Sequence, residues 1–281
     1  MRIGINTFLF ACPFNDRHCR WFPKFRAWGF DSVEIAVASP DDMDWAHVRR
    51  KLDANGLVAG SVAAAFGPGR DLRGSPAHQR ATIEYVKTLV DRMPILGSRT
   101  LIGPFYSEVG RADAETPAAR RAQWKLVVRH LKELAAYAGD RGVTLCVEPL
   151  NRFETDFLNT CDQAIALVEA VNDPALKILL DTFHMNIEEK DQAAAIRRCG
   201  KRLGHLHASG SDRGTPGTDS IDWPGIAVAL KAIRYEGDVV IESFTQDVKI
   251  IARAAAIWRR IEPTQAEIAV KGGKFLRKTL R

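Results

Sequence analysis

Eight short apolar segments, several rich in β-branched residues, recur along the chain, and the stretches between them carry apolar residues at helical spacing. They lie at Ile3 to Ile5, Ser32 to Val37, Leu57 to Ala65, Thr100 to Ile102, Val143 to Val147, Leu176 to Leu180, Leu203 to Leu206 and Asp238 to Ile241. Steady alternation of strand and helix implies a parallel α/β sheet, because each crossover helix returns the chain to the same end. Eight such units favour closure into a (β/α)8 TIM barrel over an open doubly wound sheet. The stretch from about Thr116 to Ala138 shows the helical pattern best: Trp124, Val127, Leu131, Leu134 and Ala138 alternate three- and four-residue steps, and Gly139 and Gly142 follow as stop signals. No linker or low-complexity segment divides the 281 residues. A single domain over 1–281 is expected, with a locally basic tail from about residue 262 carrying Lys271, Lys274, Arg277, Lys278 and Arg281. That tail reads as a solvated helix or frayed terminus.

With 46% hydrophobic and 26% charged residues, the chain has the balance of a soluble globular protein. A net charge of +6 raises the question of an anionic partner. The basic residues are mostly interleaved with acids, as in Arg49, Arg50 and Lys51 near Asp41, Asp42 and Asp44, which is the pattern of a solvated surface; no nucleic acid is implied. Gly67-Pro68-Gly69 lacks the spacing of a phosphate-binding loop. Cys12, Cys19, Cys146, Cys161 and Cys199 are odd in number and irregularly spaced, so they read as reduced thiols of a cytoplasmic protein. Met1 to Phe14 is read as the first strand and not as a signal sequence, since Asn6 interrupts it and no small-x-small cleavage site follows. No apolar run approaches bilayer-spanning length, and no membrane partner is expected.

In a barrel of this kind the working residues stand where strands end at the C-terminal face. The last four segments all end in a potential metal ligand: Glu148, Asp181, the His205/His207 pair and Glu242. Neighbouring strands lie roughly 5 Å apart, so side chains from four consecutive ends can surround one ion. Gathering three carboxylates at one rim is unfavourable unless a cation neutralises them. Three carboxylates with one imidazole suit a hard or borderline divalent ion such as Mn²⁺, Mg²⁺ or Co²⁺. His205 and His207 are read as pointing to opposite faces of their strand, which leaves one ligand. His207, at the strand end, is taken for it, and His205 is expected to be a packed or surface histidine. Glu34, on the second segment, is expected to be a structural buried carboxylate. Phe8, Phe66, Phe105 and Tyr106 are candidates for an apolar pocket wall or for the core.

The strings Cys146-Val-Glu148-Pro-Leu-Asn151-Arg-Phe-Glu154-Thr and Leu180-Asp181-Thr-Phe-His184-Met-Asn-Ile-Glu188-Glu, with His207 through Arg213-Gly214 and Val240-Ile-Glu242-Ser-Phe, resemble the strand-end motifs of the D-tagatose 3-epimerase (D-allulose 3-epimerase) family of xylose-isomerase-like TIM barrels. The similarity covers essentially the whole barrel. It implies that Glu148, Asp181, His207 and Glu242 bind one divalent metal, with Mn²⁺ or Co²⁺ foremost, and that Glu148 and Glu242 also serve as the catalytic acid/base pair. It further implies that Glu154, His184 and Arg213 hold substrate oxygens, and that the protein is a homodimer or homotetramer. One departure stands out: many relatives carry a Gly-Glu pair shortly after the histidine ligand, and here Gly210 occupies the place of that acid.

The resulting expectation is a metal-dependent ketose 3-epimerase acting on D-allulose, D-fructose, D-tagatose or a ketopentose. One carboxylate would remove the C3 proton and the other would return a proton to the opposite face. An aldose–ketose isomerase is the enzymatic alternative, and a polyol dehydratase shares the barrel. A DNA-repair endonuclease would need a histidine-rich metal cluster, and the chain has seven histidines, most of them away from strand ends. A sugar-binding protein without turnover is the non-enzymatic alternative.

Overall fold

The computed structural model describes residues 1–114 and 116–280. Its strands are β1 (Arg2–Asn6), β2 (Ser32–Val37), β3 (Val58–Ala64), β4 (Thr100–Gly103), β5 (Thr144–Val147), β6 (Leu176–Asp181), β7 (Leu203–Ala208) and β8 (Asp238–Ile241). All pair in parallel in sequence order, and β8 closes on β1. Every residue of β2 and β8 is buried, as a parallel sheet covered by helices outside and filled by side chains inside requires. Ala36, Ala63, Ile102, Cys146 and Leu179, from five successive strands, form a small cluster on the inner face. The larger apolar core lies between strands and helices.

Local signals start the helices. Ser75 and Thr116 cap Pro76–Leu96 and Pro117–Gly139 by accepting from the backbone N–H groups of His78 and Ala119, which would otherwise lack partners. Thr160 and Gln163 form a reciprocal capping box at Cys161–Val171.

Two expectations need correction. The first strand ends at Asn6 and does not run to Phe14: the Asn6 side chain accepts from Phe8 N at 2.7 Å and turns the chain into a short 3₁₀ helix, Thr7–Leu9. The basic tail is the helix Gln265–Thr279, neither frayed nor solvated all round. Ile268, Ala269 and Leu276 are buried, and Arg277 pairs with Asp31 at 3.2 Å; Arg281 lies outside the described residues. Phe66, Phe105 and Tyr106 are core residues, while Phe8 is half-buried against the inner cluster. The five cysteines are free thiols. No described helix is long and apolar enough to cross a membrane.

Candidate active site

Parallel pairing brings the ends of β5 to β8 to one rim, and the register sets Asp181 directly beside His207. Glu148 follows β5 and Glu242 follows β8 by one residue. All four side chains are buried, and one donor atom from each lies within 4.8 Å of the others. His207 Nδ1 stands 3.3 Å from Glu242 Oε2, 3.8 Å from Glu148 Oε1 and 3.9 Å from Asp181 Oδ2. Neither His207 Nδ1 nor Glu148 Oε1 makes a hydrogen bond among the described residues. Buried polar atoms ordinarily have partners. Orphaned lone pairs converging at these separations fit one divalent ion with bonds of about 2 Å.

The electrostatics agree with that fit. Burial, reinforced by the Glu242 carboxylate, pushes Glu148 well above the usual carboxylate range. Burial raises Asp181 to about 6, against the pull of Arg213. Glu242 is also opposed by burial, yet His207 and Arg213 hold it below its ordinary value. Three carboxylates this close cannot all ionise cheaply without a neutralising cation.

Arg213 reaches this group from the loop after β7. Its Nη1 donates to Asp181 Oδ2 at 2.6 Å and to Glu242 Oε2 at 3.1 Å, and its guanidinium lies over the rings of Phe183 (4.1 Å) and Phe244 (4.9 Å). Nη2 stands 3.0 Å from His184 Nε2, while Nε is buried without a hydrogen-bond partner among the described residues. Burial and the neighbouring Arg213 charge keep His184 well below its ordinary value, hence neutral. His184 Nδ1 accepts from Asn151 N at 3.0 Å, and Asn151 Nδ2 donates to Glu154 Oε1 at 2.8 Å. Asn151 is thus the hub that joins Glu154 to His184 and, through Arg213, to the four-residue group. At the Gly210 departure the loop is tight: Arg213 N donates to Gly210 O at 2.9 Å, and a Cβ on Gly210 would stand 3.1 Å from the Gly214 carbonyl carbon and oxygen.

The expectation for His205 fails in one respect. Residues two apart on a strand share a face, so His205 and His207 both point inward. His205 is a packed histidine, and both rings reach Glu34: His207 Nε2 lies 2.8 Å from Oε1 and His205 Nε2 lies 2.9 Å from Oε2. Glu34 is fully buried and also accepts from Asn6 and Ser61. Asn6 and Ser61 carry no sequence signal of their own; only the barrel's closure brings them to this place.

The comparisons with known proteins can be set beside this geometry. A family model described as xylose isomerase-like TIM barrel matches residues 22–278. A probable ketose 3-epimerase of Synechocystis sp. is 34% identical over 280 residues, covering 99% of this chain and 96% of that protein. A D-psicose 3-epimerase of Enterocloster bolteae is 34% identical over 259 residues, covering 89% and 85%. The crystal structure of a D-allulose 3-epimerase from Methylomonas sp. in complex with D-allulose superposes with a TM-score of 0.92 at 29% identity, covering 99% of this chain and 97% of that one. Similarity that runs end to end through the same barrel, with three acids and a histidine from four consecutive strand ends gathered at one rim, places this chain in the xylose isomerase-like TIM barrel family, among the ketose 3-epimerases.

Proposed function

We propose that the protein is a divalent-metal-dependent ketose 3-epimerase. The observation that carries this reading is the pair Glu148 and Glu242, which flank Asp181 and His207 within one buried donor group at the rim of the barrel. Glu148, Asp181, His207 and Glu242 would hold the metal, which supplies positive charge beside the oxygens of an α-hydroxyketone. Mn²⁺ or Co²⁺ is our first assignment, with Mg²⁺ compatible with the donor set.

The chain's own residues divide the work. One glutamate takes the proton from C3; the electron pair of that C–H bond forms a C2–C3 double bond, and the carbonyl becomes an enediolate oxygen. The other glutamate then protonates C3 from the opposite face, and the carbonyl re-forms. Arg213, held against two carboxylates and two rings, and neutral His184 present N–H groups to substrate oxygens, and Glu154 accepts from a hydroxyl. Burial of Glu148, Glu242, His184 and Arg213 excludes water, which strengthens each interaction. Candidate substrates are D-allulose with D-fructose, D-tagatose and the ketopentoses.

We assign residues 1–281 to one catalytic domain acting in the cytoplasm as a homodimer or homotetramer. Phe153, 78% exposed on the loop after β5, and Trp258, 72% exposed between the helices Lys249–Ala254 and Gln265–Thr279, are apolar side chains of the kind a partner subunit covers; light scattering behind size exclusion tests the assembly. The mechanism is tested by turnover of D-fructose and the ketopentoses in D₂O by Mn²⁺-loaded protein. Epimeric ketose carrying deuterium at C3 is expected. Ketose product without C3 deuterium at early times sinks the two-carboxylate exchange, an aldose product supports the isomerase reading, and binding without turnover supports a sugar-binding protein.

A further inference from the structure

The four residues assigned to the metal come from β5 to β8, yet the same rim is completed by a polar layer on β1, β2 and β3. Glu34 is fully buried, and a carboxylate in that position is tolerated only when donors surround it. Three do so: Asn6 Nδ2 at 2.7 Å and His207 Nε2 at 2.8 Å on Oε1, and Ser61 Oγ at 2.5 Å on Oε2, with the His205 ring packed alongside, its Nε2 2.9 Å from Oε2. The barrel is built to place them. Asn6 is the register partner of Glu34, and an irregularity between Val33 and Glu34 sets Ser61 opposite Glu34 where an unbroken ladder would set Gly60.

The donor count fixes chemistry one layer up. An ionised carboxylate only accepts, so the His207 nitrogen facing it carries the hydrogen; a neutral imidazole then has its lone pair on the other nitrogen. That other nitrogen is Nδ1, the atom that faces Glu148, Asp181 and Glu242. Glu34, His205 and His207 also lie close enough to hold an ion of their own. Unlike the rim group, though, each Glu34 oxygen already has its donors, and an ion would meet N–H hydrogens there. Asn6 forms a second arm. Its Oδ1 accepts from Phe8 N at 2.7 Å, which sets the orientation of the amide. Both Nδ2 hydrogens are then free for carboxylates, one on Glu34 Oε1 and one on Glu242 Oε1 at 3.2 Å. This leaves Glu242 Oε2 to face His207 Nδ1 and Arg213 Nη1.

We propose that Glu34 and Asn6 are positioning residues of the active site: Glu34 sets the tautomer and orientation of the ligand His207, and Asn6 ties Glu34 to the carboxylate of Glu242. The proposal rests on the metal-site reading above and concerns residues that make no contact with the metal themselves. Supporting partners of ligand histidines typically contribute about 10- to 100-fold in metal affinity or activity.

The test is titration of metal-free wild-type and Glu34→Gln protein with Co²⁺, followed by visible absorption, with thermal melts of both metal-free proteins alongside. The expected result is a Co²⁺ Kd weakened about 10-fold or more in Glu34→Gln, with the metal-free melting temperature little changed. A lowered metal-free melting temperature with an unchanged Kd would make Glu34 merely structural and overturn the proposal. Failure of wild-type protein to bind Co²⁺ would overturn the metal-site reading as well, so the two failures are distinguishable. Should Glu34→Gln not fold, nitrogen NMR of Zn²⁺-loaded wild-type protein decides: Nδ1 bound and Nε2 protonated on His207 is expected, and the reverse overturns the assignment. Asn6→Ala should lower kcat about tenfold while KM and the Co²⁺ Kd hold within about twofold; an unchanged kcat removes Asn6 from the set.

Discussion

Arg213 adopts a left-handed backbone, φ +66°, a conformation that costs a non-glycine residue about 1 kcal/mol or more. Surrounding contacts hold it there: its carbonyl accepts from Phe244 N at 3.0 Å, and its guanidinium is fastened to Asp181 and Glu242. Removing one partner of a buried ion pair leaves the other charges unpaired, at a cost of about 3–5 kcal/mol. Arg213→Ala should therefore lower the stability of the metal-free protein by about 3 kcal/mol in urea unfolding, and lower kcat/KM of the Mn²⁺-loaded enzyme by about 100-fold through lost substrate positioning. Metal content should be retained, since Arg213 supplies no ligand atom. Arg213→Lys keeps the charge but loses the planar fork, so it should recover stability more than activity. Metal lost together with activity in Arg213→Ala would reassign the residue to the architecture of the metal group.

Among the elements, the terminal helix shows where packing overrides a surface reading of the sequence. Lys271, Lys274, Arg277 and Lys278 mark Gln265–Thr279 as solvated, yet Ile268, Ala269 and Leu276 share the face that meets β1 and β8. The charges lie on the rest of the helix surface, and Arg277 lies over Gly29, whose φ of +91° is a conformation that favours glycine. Leu276 is fully buried, so Leu276→Ala should reduce stability by about 3 kcal/mol and leave kcat/KM unchanged, because the active site stands beyond the strand ends of β5 to β8. A matching loss of kcat/KM at saturating metal would contradict that separation. The strands were legible for the opposite reason. Burial on both faces makes each one a nearly continuous apolar run, and the ends of the eight apolar segments agree with the observed strands to within two residues, although the reading of Met1 to Phe14 as one strand overran Asn6. The rim acids were legible because they interrupt those runs at their C-terminal ends. Asn6 and Ser61 were not, since a lone Asn or Ser on a strand is ordinary; their meeting with Glu34 depends on register and closure, which no local pattern states. His205 was misplaced only because the two-residue period of its strand was misapplied.

At the scale of the whole molecule, closing the barrel forces three acids and a histidine from four strands to one point, and folding stability is thereby linked to pH and to metal. Asp181, raised to about 6, and Glu148, pushed well above its usual range, bind protons more tightly in the folded metal-free chain than in the unfolded one. For a group whose folded pKa exceeds its unfolded value of about 4, the stabilisation is fully present below that value and is lost as pH rises through the folded pKa. Metal reverses the dependence. An ion binds the ionised ligands, so it must displace those protons, and its apparent affinity falls as pH drops through about 6. Because a ligand of the folded state stabilises it by mass action, about 2.7 kcal/mol at a hundred times Kd, the rise in melting temperature produced by a fixed concentration of Mn²⁺ should be large at pH 7.5 and small at pH 5. Binding at intermediate pH should release protons, which calorimetry in buffers of different ionisation enthalpy detects. A Mn²⁺-induced stabilisation equal at pH 5 and pH 7.5, with no proton release, would show that these carboxylates are not the groups the metal engages.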